Sequence, residues 1–295
     1  MHKNLTITDN DKYGLLPLWE AIYSIYDDFS ELCKKHGLRH YAIGGTLLGA
    51  IRHNGFIPWD DDLDIAMPRP DYEKFIRIAD KELPCHLKFV YWKNTPELPV
   101  LFGKIQDCRK DFVEGLEKKL GCMLTNGVYI DIFPLDGYTE KNKLLIRFRD
   151  FVLLPLERYR MYKYSELTQR GKVAWIAGMI ISLFFPWLRK QEQFFGLHER
   201  SLLRAEYDSS DYVADVALST NIYAFPPQKR TSWGVPQPHI FNGQVMMVPE
   251  YPDDSLTSRF GASYMTLPPI ACQHPSHQYC WHFPWWLGPT KIESL

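Results

Sequence analysis

The spacing of apolar residues along the chain predicts a long amphipathic helix near the N-terminus. Over residues 15–36, apolar side chains recur at steps of three and four residues, which places them on one helical face. Gly37 follows, where a left-handed residue commonly ends a helix. A second helix is predicted at residues 71–83. Short apolar runs at residues 39–43, 87–92, 100–107, 127–133 and 245–248 predict strands, and the pattern over about 140–205 is mostly helical.

One segment joins a glycine-rich turn to an acidic run. The turn is Gly44-Gly45-Thr46, and the acidic residues are Asp60, Asp61, Asp62 and Asp64. The order Asp62-Leu63-Asp64-Ile65 alternates acidic and apolar residues, which predicts a strand. Because side chains at i and i+2 share a face, Asp62 and Asp64 should project together while Leu63 and Ile65 face the core.

This segment predicts a site for a divalent cation and a phosphate group. Two carboxylates on one rigid face suit Mg²⁺, with Mn²⁺ as an alternative. The glycines allow close approach of a ligand to the backbone, and Thr46 is predicted to cap a helix that starts at Leu47. The N–H groups at such a helix start bind phosphate. Asp60 and Asp61 could raise the local negative potential, cap a turn, or help to hold a second ion.

Composition narrows the class of protein. The chain has 295 residues and a formal net charge of −1, so it lacks the basic field that nucleic-acid binding requires, and no nucleic-acid partner is expected. Its six cysteines are dispersed, unlike those of a small disulfide-rich protein. The first residues are polar and lack the apolar region of a signal peptide. These features predict a reducing, cytoplasmic setting.

The segment at residues 172–190 is unusually apolar. Lys172 and the pair Arg189-Lys190 flank it, and Trp175 and Trp187 lie near its ends. Its apolar run of about 16 residues is shorter than the roughly 20 needed to span a bilayer. Three interpretations remain open: a buried core helix, a helix in the membrane interface, and a true span. The second would make the protein peripheral on the inner face of the cytoplasmic membrane.

The motifs resemble the LicD/fukutin family, whose bacterial members transfer phosphocholine onto surface glycans. The resemblance covers residues 41–75, then Phe102-Gly103-Lys104-Ile105-Gln106-Asp107 with residues 127–137, and more weakly residues 260–269. It implies an α+β fold, in which a nucleotidyltransferase-like mixed β-sheet core with flanking helices is followed by a helical and irregular C-terminal elaboration. We expect the catalytic core at residues 1–138 and the elaboration at 139–295, packed as one compact unit.

The resemblance also implies further site residues. A third carboxylate on a neighbouring strand would complete the metal site or take the proton from an attacking hydroxyl, and we assign Asp131, which could instead be purely structural. We prefer it to Asp136, which follows Pro134 in a turn-like context. The predicted substrate-binding residues are Gly44, Gly45, Thr46, Arg52, His53 and Lys104. Lys104 could pair with phosphate, Asp131 or Asp62, or protect an edge strand. Arg52 and His53 could instead pair with Asp60 or Asp61.

The implied reaction is Mg²⁺-dependent transfer of a substituted phosphate. The donor would be a CDP- or CMP-activated alcohol, CMP would leave, and the acceptor would be a sugar hydroxyl of a cell-surface or lipid-linked glycan. Phosphocholine is the expected group; phosphoethanolamine, a polyol phosphate and aminoethylphosphonate are compatible. Two alternatives are a nucleotidyltransferase that releases pyrophosphate and a non-catalytic glycan-binding scaffold.

The C-terminal region carries two weaker signals. The spacing of Cys272, His274, His277, Cys280 and His282 permits a Zn²⁺ site, although the run is compact and a packed loop is the alternative. The neighbouring aromatic residues are Trp281, Phe283, Trp285 and Trp286. They could cage the ammonium group of a donor by cation–π attraction, close the domain as an apolar plug, or contact a membrane.

Overall fold

The computed structural model describes the parts of the chain that form its sheet and most of its helices. The described residues are 12–95, 98, 100–109, 127–139, 144, 148–161, 169–202, 205–215 and 226–275. The elements before residue 140 are α1 (Leu16–His36), β1 (Tyr41–Ala42), α2 (Gly44–His53), β2 (Asp64–Pro68), α3 (Arg69–Glu82), β3 (Leu87–Val90), β4 (Gly103–Asp107) and β5 (Val128–Tyr138).

The later elements are mostly short. They are a π-helical turn (Arg149–Leu153), α4 (Leu154–Met161), α5 (Gln169–Phe184), a 3₁₀ turn (Pro186–Arg189), α6 (Gln191–Leu202), β6 (Tyr212–Ala214), β7 (Gln228–Lys229), α7 (Arg230–Trp233), β8 (Gln237–Phe241), β9 (Gln244–Val248), α8 (Pro252–Phe260) and a second 3₁₀ turn (Ile270–Cys272). Helix α1 ends at Gly37, whose φ of 62° is left-handed, as the sequence predicted.

A seven-stranded mixed sheet organises the fold, in the order β1-β2-β5-β4-β3, with β6 paired to β5 and β7 to β6. Strands β2 and β5 run parallel, and the other pairs are antiparallel. The predicted α+β class is therefore confirmed. Strands β6 and β7 follow residue 138 yet join the same sheet. The predicted division into a core at 1–138 and an elaboration at 139–295 remains a prediction.

The two faces of the sheet have different surroundings. One face packs against α1 and α3 in the main core, to which it contributes Ile65, Ile105, Ile130 and Ile132. A second core on the other face includes Tyr41, Ala66, Phe133 and Leu135. Asp64 and Asp131 alternate with the isoleucines of the main core and therefore lie on this second face. The carboxylates of Asp64 and Asp131 are thus supported from behind by a closely packed apolar layer.

The prediction that Asp136 lies in a turn is wrong. Strand β5 continues through Pro134 to Tyr138, and Asp136 pairs with Ala214 of β6. Pro134 falls in the gap between the residues that pair with β4 and those that pair with β6, where a residue without an N–H group is tolerated. Asp136 is buried and accepts hydrogen bonds from Arg69 Nε at 2.7 Å and Nη2 at 2.8 Å. Both carboxylate oxygens of Asp136 are therefore engaged in this ion pair with Arg69.

Helix α5 contains most of the apolar segment at residues 172–190. Of the three interpretations, the fully buried core helix is wrong, because several large apolar side chains of α5 are exposed. Among the described residues, no helix is both long enough and apolar enough to cross a bilayer.

Candidate active site

Acidic residues gather in the loop before β2. One carboxylate oxygen of each of Asp60, Asp61 and Asp62 lies within 4.8 Å of the others. Asp61 is buried, whereas Asp60 and Asp62 are half-buried. The strand starts at Asp64, so the prediction that Asp62 lies on the strand is wrong. The burial pattern still alternates from Asp62 to Ile65, which places Leu63 and Ile65 in the core as predicted.

Contacts from distant elements hold this loop in place. Trp19 of α1 donates its indole N–H to the Asp60 carbonyl at 2.8 Å, and its ring stacks on Phe56 with centroids 5.1 Å apart. The Asn242 side chain, from the turn between β8 and β9, accepts the Phe56 N–H at 2.8 Å. Because these anchors belong to the core and to a separate hairpin, the backbone of the acidic loop is positioned before any ligand binds.

The clustered charges destabilise one another. Burial, followed by repulsion from Asp62, Asp61 and Asp64, holds the pKa of Asp60 well above its usual range. A divalent cation would relieve this repulsion, and carboxylate oxygens are the ligands that Mg²⁺ and Mn²⁺ prefer. The donor set therefore fits the predicted ion, although its binding remains a prediction.

The two glycines bring these carboxylates to the start of α2. A β-carbon on Gly44, whose φ is +56°, would lie 3.3 Å from Asp64 Oδ2, and one on Gly45 would lie 2.5 Å from Asp60 Oδ2. A residue larger than glycine at either of these two positions would displace the carboxylate beside it. The N-terminus of α2 therefore faces Asp60 and Asp64, so that backbone N–H groups and carboxylates border the same space.

Thr46 has a different role from the one predicted. Helix α2 starts at Gly44 instead of Leu47, its N-cap is Ile43, and no side chain caps it. The prediction of a Thr46 cap is therefore wrong. The buried Thr46 hydroxyl instead accepts the backbone N–H of Asp64 at 2.8 Å. Thr46 thus fixes the position of Asp64 relative to α2.

Asp131 and Lys104 lie beside Asp64 in the sheet. Asp131 is the register partner of Asp64 on β2 and of Lys104 on β4, so all three side chains share one face. Lys104 Nζ lies 2.6 Å from Asp131 Oδ1 and 3.7 Å from the centroid of the Tyr129 ring. Both charged residues are buried. Strand β4 lies between β3 and β5, so the edge-strand interpretation of Lys104 is wrong, and its predicted pairing with Asp131 is observed.

Arg52 and His53 contact a C-terminal loop. Arg52 donates through Nη1 to the Tyr264 carbonyl at 2.9 Å and through Nε to His53 Nε2 at 3.0 Å. Burial and the Arg52 charge lower the pKa of His53 to about 4, so the imidazole is neutral near pH 7. Arg52 thus connects α2 to the third segment of family resemblance. A substrate-binding role for either residue remains a prediction.

Two charged residues that the sequence analysis did not select also lie here. The guanidinium carbon of Arg259, from α8, would be 3.7 Å from a β-carbon on Gly44, close to the Asp64 carboxylate. Arg259 Nη1 lies 3.7 Å from Oδ2 of Asp215, the residue after β6. Because Arg259 directly precedes the weakly matching segment at 260–269, the sequence could have indicated this residue. No sequence pattern indicated Asp215. Arg259 supplies a cation at the helix start.

The C-terminal signals fall mainly outside the described residues. Cys272 and His274 are described and exposed, whereas residues 276–295 are not described. The predicted Zn²⁺ site and the aromatic cage, with Trp281, Phe283, Trp285 and Trp286, therefore remain predictions.

Comparison with known proteins supports the resemblance. Residues 37–166 match the family described as LicD/FKTN/FKRP, nucleotidyltransferase domain. The chain is 27% identical over 266 residues to the lipopolysaccharide cholinephosphotransferase LicD of Haemophilus influenzae, covering 86% of this chain and 92% of that protein. It is 43% and 45% identical, over 140 residues, to uncharacterized proteins of Rickettsia typhi and Rickettsia prowazekii. That match covers 48% of this chain and 39% and 46% of the two relatives, so it spans less than half of each.

Proposed function

We propose that the chain, whose residues 37–166 match the nucleotidyltransferase domain of the LicD family, transfers phosphocholine from CDP-choline to a sugar hydroxyl of a cell-surface or lipid-linked glycan. It is a transferase of substituted phosphate groups, the class to which its family relative belongs. That relative is named for cholinephosphate transfer to lipopolysaccharide, which supports the choice of group and of acceptor. Phosphoethanolamine, a polyol phosphate or aminoethylphosphonate from the corresponding CDP or CMP donor would use the same site.

One observation carries this proposal: Asp60 and Asp64 meet the N-terminus of α2 across two glycines. Phosphoryl transfer needs hard-oxygen ligands for a cation, N–H donors for phosphate oxygens, and no strong nucleophile from the protein. The acidic loop offers the ligands, and the start of α2 offers the N–H groups. Asp62 and Asp64 are our proposed Mg²⁺ ligands, with Asp131 as the third carboxylate and Asp60 and Asp61 beside them. A bound Mg²⁺ would offset negative charge on the diphosphate and on departing CMP.

The chain's own residues then have separate tasks. The Thr46 hydroxyl fixes Asp64 by accepting the backbone N–H of Asp64. Gly44 and Gly45 leave room for phosphate oxygens, and Arg259 supplies positive charge there. The acceptor hydroxyl oxygen forms a bond to the phosphorus that bears choline, and the bond from that phosphorus to the bridging oxygen of CMP breaks, so CMP leaves with the electron pair. The hydroxyl proton passes to a carboxylate, for which Asp131 is our candidate.

A CMP-release assay tests this function. The protein is incubated with Mg²⁺ and, separately, CDP-choline, CDP-ethanolamine, CDP-ribitol, CDP-glycerol or CMP-aminoethylphosphonate, with and without a membrane lipid-oligosaccharide extract. We expect acceptor-dependent CMP release with CDP-choline, and label from CDP-[methyl-¹⁴C]choline in the glycan. Pyrophosphate release from CTP with nucleotidylation of the acceptor would replace the proposal with a nucleotidyltransferase. Donor binding without turnover on any acceptor would support a scaffold.

Substitution of Gly45 tests the geometry of the site. In Gly45→Ala the new methyl group would meet the end of the Asp60 side chain, which can move at little cost to the fold. We expect about a 10- to 100-fold loss of Mn²⁺ affinity, measured by titration calorimetry, because the displaced carboxylate repositions its neighbours. The thermal unfolding midpoint should change little.

Gly196→Ala is the matched control. Gly196 lies in α6, and a β-carbon there would meet nothing within 4 Å. This substitution should leave Mn²⁺ affinity unchanged and stabilise the helix by about 0.5–1 kcal/mol. Wild-type Mn²⁺ affinity in Gly45→Ala would contradict the proposed site.

A further inference from the structure

Large apolar side chains are exposed along α5 and the 3₁₀ turn that follows it. We name the following residues the apolar surface: Val173, Ile176, Ile180, Leu183, Phe184, Phe185 and Trp187. Val173 is 69% exposed, Leu183 66% and Phe184 72%. The positions 173, 176, 180 and 183 follow steps of three and four residues, so the exposed side chains form one stripe along α5.

The opposite side of α5 is fixed to the protein. Gly178 lies so close to α4 that a β-carbon there would be 2.0 Å from the Pro155 carbonyl oxygen. The rings of Trp175 and Tyr159 also meet, with centroids 4.9 Å apart. The buried Ser182 hydroxyl donates to the Met179 carbonyl at 2.7 Å, so it does not interrupt the apolar character of the helix. Helix α5 is therefore anchored by one face and presents the other outward.

Several large apolar side chains that are exposed together on a folded protein indicate a binding interface. Its charges favour a bilayer as the partner. Lys172 lies near the start of α5, and the exposed Lys190 follows the turn after it, so cations stand at both ends of the apolar stripe. Cations beside an apolar stripe attract anionic lipid headgroups, and an interfacial tryptophan such as Trp187 suits the boundary between acyl chains and water.

The same charges disfavour a second copy of the chain. In a two-fold symmetric dimer along α5, Lys172 would face either Lys172 or Lys190 of the other copy, so like charges would meet in either direction. The helix has 16 residues, which is too short to span a bilayer but long enough to lie in its surface.

We propose that the apolar surface inserts into the headgroup region of a bilayer that contains anionic lipid, with α5 parallel to the membrane plane. This inference concerns where the protein binds and does not depend on the proposed reaction. If both hold, membrane binding would bring the enzyme to the bilayer that contains a lipid-linked acceptor.

Vesicle co-sedimentation tests the proposal with the whole 295-residue chain and needs no turnover. The vesicles contain either phosphatidylcholine alone or phosphatidylcholine with 30% phosphatidylglycerol as the anionic probe. We expect wild-type protein to bind the anionic vesicles and to be partly released by 0.5 M NaCl, since salt screens the lysines. The variant Val173→Ser/Leu183→Ser/Phe184→Ser should bind at least about tenfold more weakly, because it loses the apolar contact.

Three exposed apolar residues in the β8–β9 hairpin and the segment just before it provide a matched control. The variant Val235→Ser/Ile240→Ser/Val245→Ser removes a similar exposed apolar area and should bind vesicles like the wild type. Circular dichroism of both variants checks that they fold. The proposal is overturned if the wild-type protein stays in the supernatant with both lipid mixtures, or if the α5 variant binds as well as the wild type. Dimerisation that the α5 substitutions abolish, without vesicle binding, would also overturn it and would assign the surface to a second copy.

Discussion

Asp64→Asn is expected to lower acceptor-dependent CMP release by about a thousandfold or more while leaving the protein folded. Asparagine has nearly the same shape as aspartate but lacks the charge that would hold Mg²⁺ on the donor diphosphate. The backbone of Asp64 would not change, so its N–H would still donate to Thr46. The substitution therefore separates the charge at this position from its structural environment.

The stability of the same variant provides a second readout. Asp64 is one of the carboxylates whose repulsion raises the pKa of Asp60. Removing one negative charge from this crowded cluster should leave the unfolding midpoint unchanged or raise it, as is common where function maintains an unfavourable arrangement. Loss of turnover with equal or greater stability is the pattern expected of an active-site residue.

Asp80→Asn is the matched control. Asp80 is exposed on α3, outside the acidic loop, so this variant should keep wild-type turnover and stability. Turnover of Asp64→Asn within a fewfold of the wild type would remove Asp64 from the proposed site. A large fall in its unfolding midpoint would assign it a structural role.

Local sequence rules predicted the elements whose contacts are local. The apolar period of α1 and its end at Gly37 depend on residues within one or two helical turns, and the helix starts at Leu16, one residue after the predicted start. The alternation from Asp62 to Ile65 likewise predicted which side chains are buried. In both cases the same residues determine the pattern and the structure.

Local rules failed where a distant residue changed the outcome. Thr46 is a good capping residue, but its hydroxyl instead accepts the N–H of Asp64, which belongs to another element. Pro134 suggested a turn before Asp136, yet pairing with β6 extends the strand through that region. Arg259 reaches Gly44 from the other end of the chain, a proximity that only the folded structure reveals. Such long-range contacts leave little trace in local spacing.

The Lys104–Asp131 pair allows a test of whether Asp131 acts in the reaction or only supports the fold. Lys104→Met leaves the Asp131 carboxylate buried without its nearest cation, which is expected to cost about 3–5 kcal/mol of unfolding free energy. Asp131→Leu should be destabilising as well, because it leaves Lys104 buried without the carboxylate. The double variant Lys104→Met/Asp131→Leu leaves neither charge unpaired, so it should recover most of the lost stability, as measured by urea unfolding.

An exposed pair of the same length provides the control. Lys35 Nζ lies 2.6 Å from Glu82 Oε2 at the surface, and the corresponding cycle with Lys35→Met and Glu82→Leu should show little coupling because solvent screens these charges. Turnover of the variants of the buried Lys104–Asp131 pair then assigns the role of Asp131. If Asp131 binds the metal or takes the hydroxyl proton, the restabilised double variant should release no CMP, since leucine can do neither, whereas Lys104→Met, which lacks the same lysine but keeps the carboxylate, should retain measurable turnover. Recovery of turnover together with stability would show that the pair serves the fold alone, and the third carboxylate would then have to be sought among Asp60, Asp61 and Asp215.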